Sequence, residues 1–394
     1  MLTTAHQTRT GQDWSSWADA MSARLALRAQ AAEAARTLQP ETVDEAAAAG
    51  FFGLLAPVTA GGQGATYGEF LDVVRRLGQG CASGAWTLSF LALHAWMLAK
   101  FGAEAQAELF KDGAMPLAPA PLAPTGKAEK VDGGYRISGR WEWATGVNHS
   151  DWVIVNCLEA GTMISRFCTV RRDAVQVVDV WKVAGMAATG SNVVTADNVF
   201  VPEHMTLPAS QMAAGHSPGE ALHPDSTLSY PLRAALALAA ATPALGAAEG
   251  AVITFTERMK TKLAAFSGGA KQGDNPTTHL RLGEALASAR AARLVWADAI
   301  RQLEAEGPNG AQTPVETSVA IRLAGADIVR LANRTIDILA AAAGASSSFL
   351  DAPLQRHLRD VQVIRGHVMF DWDRTAVLAG RVAMGQPTTP ADLL

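Results

Sequence analysis

The side chains whose setting suits chemistry are two histidines, two hydroxyl residues and two arginines. His94 lies inside the apolar run Phe90-Leu91-Ala92-Leu93-His94-Ala95-Trp96-Met97-Leu98. A polar ring so placed is either a core histidine with a satisfied partner or a group facing a substrate pocket, with Trp96 close by. His367 comes two residues after Arg365 and ahead of Asp371. Imidazole titrates near neutral pH and can pass protons to or from a substrate; the plain alternative is a structural or surface histidine. Thr145 follows Trp143-Ala144 in a run of β-formers, and Ser191 follows Gly190 in a stretch that also reads as a turn. Arg356 and Arg359 could hold a phosphate, though pairing with a neighbouring carboxylate or helix end is the commoner fate of such residues.

Other chemistries are excluded by what the sequence lacks. The nine histidines do not cluster, and no HExxH spacing occurs, so no metal site is expected. No GxGxxG follows a strand-like run, so NAD(P)H is not expected to bind. Cys81, Cys157 and Cys168 are scattered, which argues against a disulfide framework and for a reducing cytoplasm. Lys plus Arg total 33 against 37 for Asp plus Glu, so nucleic acid is not expected as the main ligand. Hydrophobic residues make up 49% and charged residues 18% of the 394, which excludes disorder. The N-terminal segment up to Trp14 has no apolar signal core. The apolar tract at residues 232–255 is mostly alanine and is broken by Arg233, Pro243 and Glu249, so it reads as a buried helix and not a membrane span. The 10 Trp against 3 Tyr are an oddity of composition that calls for a structural account.

These groups must be positioned by elements of two kinds. Helical patterns occupy residues 14–38, 67–77 and 83–101, the last apolar on all sides and therefore buried. Residues 117–124, rich in Ala and Pro, end this part. Short β-like runs follow at residues 135–145, 152–158, 163–171, 175–180 and 192–202. Helices return from about residue 231, with regular apolar spacing at 284–304 and 314–343 and a last helix or pair at 354–380. Three domains are expected: residues 1–116 helical, 117–230 β, and 231–394 a helical bundle.

This order resembles the acyl-CoA dehydrogenase fold, and four segments carry the resemblance. They are Ala49-Gly50-Phe51-Phe52-Gly53-Leu54-Leu55-Ala56-Pro57 with Gly61-Gly62, then Gly139-Arg140-Trp141-Glu142-Trp143-Ala144-Thr145-Gly146, then the stretch ending Asp197-Asn198-Val199-Phe200-Val201-Pro202, and finally Pro353-Leu354-Gln355-Arg356-His357-Leu358-Arg359-Asp360. The resemblance implies a mainly α protein with a helical N-domain, a β-barrel-like middle domain and a C-terminal four-helix bundle.

Two subfamilies share that fold. The dehydrogenases use a glutamate base shortly after Arg-Asp; here Arg359-Asp360 is followed by Val361-Gln362-Val363-Ile364-Arg365-Gly366-His367-Val368, with no glutamate. The earlier helix that carries the base in other members, residues 226–248 here, has no carboxylate either. The dehydrogenase flavin loop is replaced by Leu117-Ala118-Pro119-Ala120-Pro121-Leu122-Ala123-Pro124-Thr125-Gly126, which carries no acidic residue. The stretch Gly133 to Trp141 and the histidine after Arg-Asp are similar to the other branch, the two-component monooxygenases, and most like its indole oxygenases.

That resemblance implies reduced FAD, with FMN as the alternative, supplied by a separate NAD(P)H-flavin reductase. It implies O2 addition at flavin C4a to give a hydroperoxide, and oxygen transfer to a small aromatic such as indole. Trp143 and Thr145 would lie at the flavin ring, with Thr145 near N5 and Ser191, Arg356 and Arg359 at other parts of the cofactor. His367 and His94 would handle substrate protons, with Trp96 lining the same pocket. A hydroxyl at Thr145 suits the task because it can donate or accept as N5 changes protonation. The Arg-x-x-Phe-Gly with which the dehydrogenases hold the ADP half of FAD from a neighbouring subunit is not kept in spacing within residues 258–268, in line with weak, exchangeable flavin. A homotetramer is expected from the fold. The alternatives are an acyl-CoA dehydrogenase with a displaced base, an N- or S-oxygenase, or a scaffold that has lost the flavin.

Overall fold

The structure is a computed structural model and describes residues 11–213, 215–224, 226–264, 268–389 and 392. The N-terminal helices are α1 (Trp14–Ala35), α2 (Pro40–Ala48), α3 (Tyr67–Gly80), α4 (Ala82–Leu98) and α5 (Ala103–Leu109). Seven strands follow: β1 (Gly126–Val131), β2 (Gly134–Ala144), β3 (Trp152–Glu159), β4 (Ser165–Arg171), β5 (Gln176–Val178), β6 (Asn192–Pro202) and β7 (Thr206–Pro208). Two short helices, α6 (Ala209–Ala213) and α7 (Pro218–Leu222), lead to α8 (Leu232–Thr261), α9 (Pro276–Glu306), α10 (Val315–Ala343), α11 (Pro353–Arg365) and α12 (Trp372–Ala383).

Local chemistry explains the element ends. Asp13 caps α1 by accepting from the backbone N–H groups of Ser15 and Ser16. Thr66 and Glu69 form a reciprocal capping box on α3. The long apolar helix α8 has 83% of its most apolar window buried inside the protein, packed against α3, α4, α9, α10 and α11. Its approach to α3 needs glycine: a Cβ on Gly246 would meet the Arg75 carbonyl oxygen at 2.2 Å. Thr242 Oγ1 donates to the Leu238 carbonyl and also accepts Trp296 Nε1 at 2.9 Å, tying α9 to α8 beside Pro243. Trp14 and Trp17 pack on Phe51, Trp17 stacked at 5.3 Å between centroids. Three of the surplus tryptophans thus fasten helices together.

The strands form one sheet in the order β5-β6-β2-β1-β3-β4-β7, antiparallel except for β1 against β3. Although four places apart in that order, β4 and β6 also touch, so the sheet curls back on itself as a barrel would. Strand β1 is absent from the sequence expectation because Lys127, Glu129 and Lys130 interrupt its apolar pattern. Only one face of it is buried. Residues 117–124, the Ala/Pro run, lie extended beside β3: Ile154 N–H donates to the Pro119 carbonyl at 2.9 Å, and Asn156 Nδ2 to that of Leu122.

Candidate active site

Of the 17 residues of α4, all among the described residues, only Phe90 escapes full burial. It marks the face where the helix is not sealed by neighbours. Trp86, Phe90 and His94 are spaced i, i+4, i+8 and therefore share that face. Their rings form a row: His94 to Phe90 at 5.5 Å, Phe90 to Trp86 at 4.8 Å, Trp86 to His367 at 6.0 Å, and His367 to Phe370 at 5.7 Å. The two candidate histidines, 273 positions apart by their numbers, are thereby joined through α4 and the turn after α11.

The hydrogen bonds fix which nitrogen of each ring carries the proton. His94 Nδ1 lies 2.7 Å from the Ala118 carbonyl, which can only accept, so Nδ1 is the donor. Full burial pushes the His94 pKa down to about 4 and keeps the ring neutral, leaving Nε2 as a bare acceptor. His367 is the reverse case. Its Nδ1 accepts the backbone N–H of Met369 at 3.3 Å, so the neutral ring carries its hydrogen on Nε2. His367 is open to solvent yet closely walled by protein, and that desolvation lowers its pKa. It stands at the exposed end of the ring row, with the buried His94 at the other.

Thr145 sits just past the end of β2. The β2–β6 register shifts between Trp141 and Ala144, and Trp143 takes a left-handed φ of 69° within that bulge. The bulge throws the Trp143 indole outward, 62% exposed and edge-on to Trp181 at 5.2 Å. It also turns Thr145 inward. Thr145 Oγ1 lies 2.8 Å from Ser191 Oγ, which lies 2.8 Å from Thr189 Oγ1. All three residues are buried.

The turn bearing Thr189 and Ser191 is held by Asp360. This carboxylate accepts the Met186 N–H at 2.5 Å and the Ser83 hydroxyl at 3.2 Å. Burial raises its pKa to about 6 against those stabilising hydrogen bonds. One aspartate of α11 thus locks the β domain to the N-terminus of α4.

The structure does not bring every candidate to this place. Arg356 and Arg359, expected at the flavin, both point to Glu33 of α1; Arg356 Nε lies 3.3 Å from it. Arg359 also donates to the Ala184 carbonyl at 2.5 Å. Their charge is neutralised inside the chain, as the carboxylate-pairing alternative anticipates. Trp96 is fully buried with its Nε1 donated to Thr227 Oγ1, and the Lys100 ammonium covers its ring. Two residues beyond His94, it faces the other side of α4. Within the Arg258–Gly268 comparison, Ala265, Phe266 and Ser267 lie outside the described residues; Arg258 itself donates to Ser346.

Sequence reasoning missed Trp86, Phe90, Thr189 and Asp360. The i, i+4 spacing of the first two with His94 was a usable signal, as was Asp360 on the apolar stripe of α11 that holds Val361 and Ile364. No sequence signal pairs Thr189 with Thr145. The parts suit a flat, partly polar ring: an exposed indole at Trp143, a buried hydroxyl edge at Thr145, and no acidic residue in the neighbouring Ala/Pro run.

Comparison with known proteins identifies the fold and the family. Residues 15–111 match the acyl-CoA dehydrogenase N-terminal domain, and residues 238–372 the acyl-CoA dehydrogenase C-terminal domain. The chain is 32% identical to the Pigment production hydroxylase of Rhodococcus sp. (strain ATCC 21145), over 93% of this chain and 94% of that protein. It is 29% identical to the FADH(2)-dependent resorcinol hydroxylase, oxygenase component, of Rhizobium sp. (strain MTP-10005), over 91% and 90%. The crystal structure of 3-HSA hydroxylase from Rhodococcus sp. RHA1 superposes with a TM-score of 0.91 at 28% identity, covering 97% of this chain and 99% of that one. The chain therefore belongs to the reduced-flavin-dependent monooxygenases of the acyl-CoA dehydrogenase fold, the oxygenase components of two-component systems.

Proposed function

We propose that this oxygenase hydroxylates a small aromatic compound carrying an O–H or N–H donor, and that the opposed tautomers of His94 and His367 carry the selection. Bound reduced flavin supplies the electrons that activate O2. His94 Nε2 accepts the substrate's O–H or N–H hydrogen and so raises electron density in the ring to be attacked. Trp86 and Phe90 give the ring an apolar wall and keep water away. His367 would present its Nε2 hydrogen at the other end, to an oxygen that gathers negative charge as the O–O bond breaks. A phenol meets this pattern through its hydroxyl and indole through its ring N–H. The resorcinol-hydroxylating relative favours phenols as the first class to test.

Further parts of the reading rest on the family. Reduced FAD, or FMN in its place, arrives by diffusion from a separate NAD(P)H-flavin reductase in the cytoplasm. The three units divide near residues 117 and 231. Exposed Leu280 and Leu294 on α9 support a homo-oligomer, a tetramer by fold analogy. The test is to combine the purified protein with a flavin reductase, NADH and FAD, and to offer resorcinol, simple phenols and indole. Hydroxylated product from at least one class is expected. Conversion of all oxygen to hydrogen peroxide across the panel contradicts the substrate reading.

A further inference from the structure

Asp360 stands where three parts of the chain meet. From α4, the Ser83 hydroxyl donates to Asp360 Oδ2 at 3.2 Å. From the loop ahead of β6, the Met186 N–H donates to Asp360 Oδ1 at 2.5 Å. The third part is α11 itself, pressed close against that loop. A Cβ on Gly185 would stand 2.2 Å from the Arg359 carbonyl oxygen, so only glycine allows the approach. Arg359 also donates to the Ala184 carbonyl at 2.5 Å. Consecutive loop residues from Ala184 to Met186 are thus held by Arg359 and Asp360 together.

Two rings of the candidate site hang from this junction. Trp86 follows Ser83 by one turn of α4, so the two share a face. Ile364 follows Asp360 by one turn of α11, and its carbonyl accepts the N–H of His367 at 3.0 Å. The Ser83–Asp360 bond therefore ties the two helices one step before Trp86 meets His367, at 6.0 Å between ring centroids. Asp360 is buried on the apolar stripe that holds Val361 and Ile364. An apolar side chain there would fill space without the cost of burying a carboxyl. What the carboxyl adds is direction, two contacts aimed at two different elements. Either charge state keeps both, because a protonated carboxyl accepts from Met186 and donates to the Ser83 hydroxyl.

We propose that Asp360 is a positioning residue for oxygen transfer. By holding Ser83 it fixes the spacing of α4 and α11, and so keeps His367 against Trp86 and aimed at the reacting oxygen. The proposal rests on the reading of His367 as the hydrogen donor at this end of the ring row. A His367 out of place leaves oxygen reduction running while hydroxylation fails, and the oxygen then leaves as hydrogen peroxide.

The experiment supplies the whole protein with chemically reduced FAD, O2 and resorcinol, or indole where wild type hydroxylates only that. It measures product formed and peroxide released per O2 consumed, for wild type, S83A, D360A, D360N and H367A. S83A should lower the share of oxygen that reaches product by about fivefold, the scale of one hydrogen bond, with peroxide making up the difference. Its KM and its affinity for reduced FAD should stay within about twofold of wild type, the mark of an interaction that serves the reaction and not binding. D360A should uncouple at least as much. D360N should restore coupling, because its amide accepts from Met186 and donates to Ser83. Wild-type coupling in S83A and D360A, an equal loss in D360N, or a loss of coupling matched by a loss of flavin affinity overturns the proposal. H367A separates this from the underlying reading. If H367A uncouples and S83A does not, the proposal alone falls. If H367A keeps wild-type coupling, or wild type hydroxylates neither compound, the reading of His367 falls and the proposal with it.

Discussion

His94 and His367 face one another along a single row of rings with their protons on opposite nitrogens. Ala118 takes the Nδ1 hydrogen of His94, and His367 receives the Met369 N–H on its own Nδ1. One ring is an acceptor and the other a donor without any titration between them. Replacing His94 by Ala removes the acceptor and should lower turnover about a hundredfold, within the range for general acid–base groups, while reduced-flavin affinity stays near wild type. Rapid-mixing kinetics with separately measured flavin binding check this. A parallel loss of flavin affinity would place His94 elsewhere.

The pH dependence of turnover follows from the same pair. Desolvation lowers the His367 pKa, and the His94 pKa falls to about 4, so both rings are neutral at pH 7 and above. The rate of substrate oxygenation should therefore be level through neutral pH and fall on strong acidification, as His94 Nε2 takes a proton and can no longer accept, whereas His367 keeps its Nε2 hydrogen in either charge state. H367N should leave this acid limb in place. A profile of kcat/KM against pH for both proteins is the check.

Stability should fall on acidification for a separate reason. His94 and His357 are both buried, with pKa values pushed down to about 4 from the ordinary 6.5. The unfolded chain binds their protons first, so the stability they contribute is full above pH 6.5 and is lost as pH falls towards 4. Asp360 works the other way. Raised to about 6 from 3.8, its contribution is full below pH 3.8 and lost as pH rises through 6. Two imidazoles oppose one carboxyl, so Tm should be lower at pH 5 than at pH 7.5. A higher Tm at pH 5 would contradict the assignment.

Glu33 joins α1 to α11 through Arg356 and Arg359. E33A leaves two guanidinium groups without this partner, one of them on a residue only 8% exposed, and should cost about 2 kcal/mol. R356K should weaken flavin binding less than twofold, because the arginine serves the helix contact. A tenfold loss of flavin affinity in R356K, with Tm unchanged, would return Arg356 to the cofactor.

Trp143 offers the opposite contrast. Its indole is largely exposed and meets the core through an edge contact with Trp181, so W143L should leave stability within about 0.5 kcal/mol. Flavin affinity should fall several-fold if the indole meets the ring. Thermal melts and fluorescence titration on one preparation separate the two effects.

The order of helices, strands and helices was legible because hydrophobic period and turn residues mark it directly. His94 was legible because a polar ring in an apolar run stands out, and His367 was picked out by its place shortly after Arg359-Asp360. Their connection was not, since it depends on which face of α4 Trp86 and Phe90 share with His94. The carboxylate that pairs with the arginines was not legible, because Glu33 lies 323 residues from Arg356 and no local pattern points to it. The hydroxyl chain was beyond reach for a backbone reason. It exists only because Trp143 and Met186 adopt left-handed φ values that neither residue type signals.

The central claim is that this chain transfers oxygen from O2 to an aromatic ring with reduced flavin from outside. The most direct measurement supplies chemically reduced FAD, a phenolic substrate and isotopically heavy O2 to the purified protein, and weighs the product. One heavy oxygen atom in a hydroxylated ring, with none from water, is the predicted result. Hydrogen peroxide as the sole oxygen product across phenols and indole, together with bleaching of oxidised flavin by an acyl-CoA in the absence of any reductase, would contradict it.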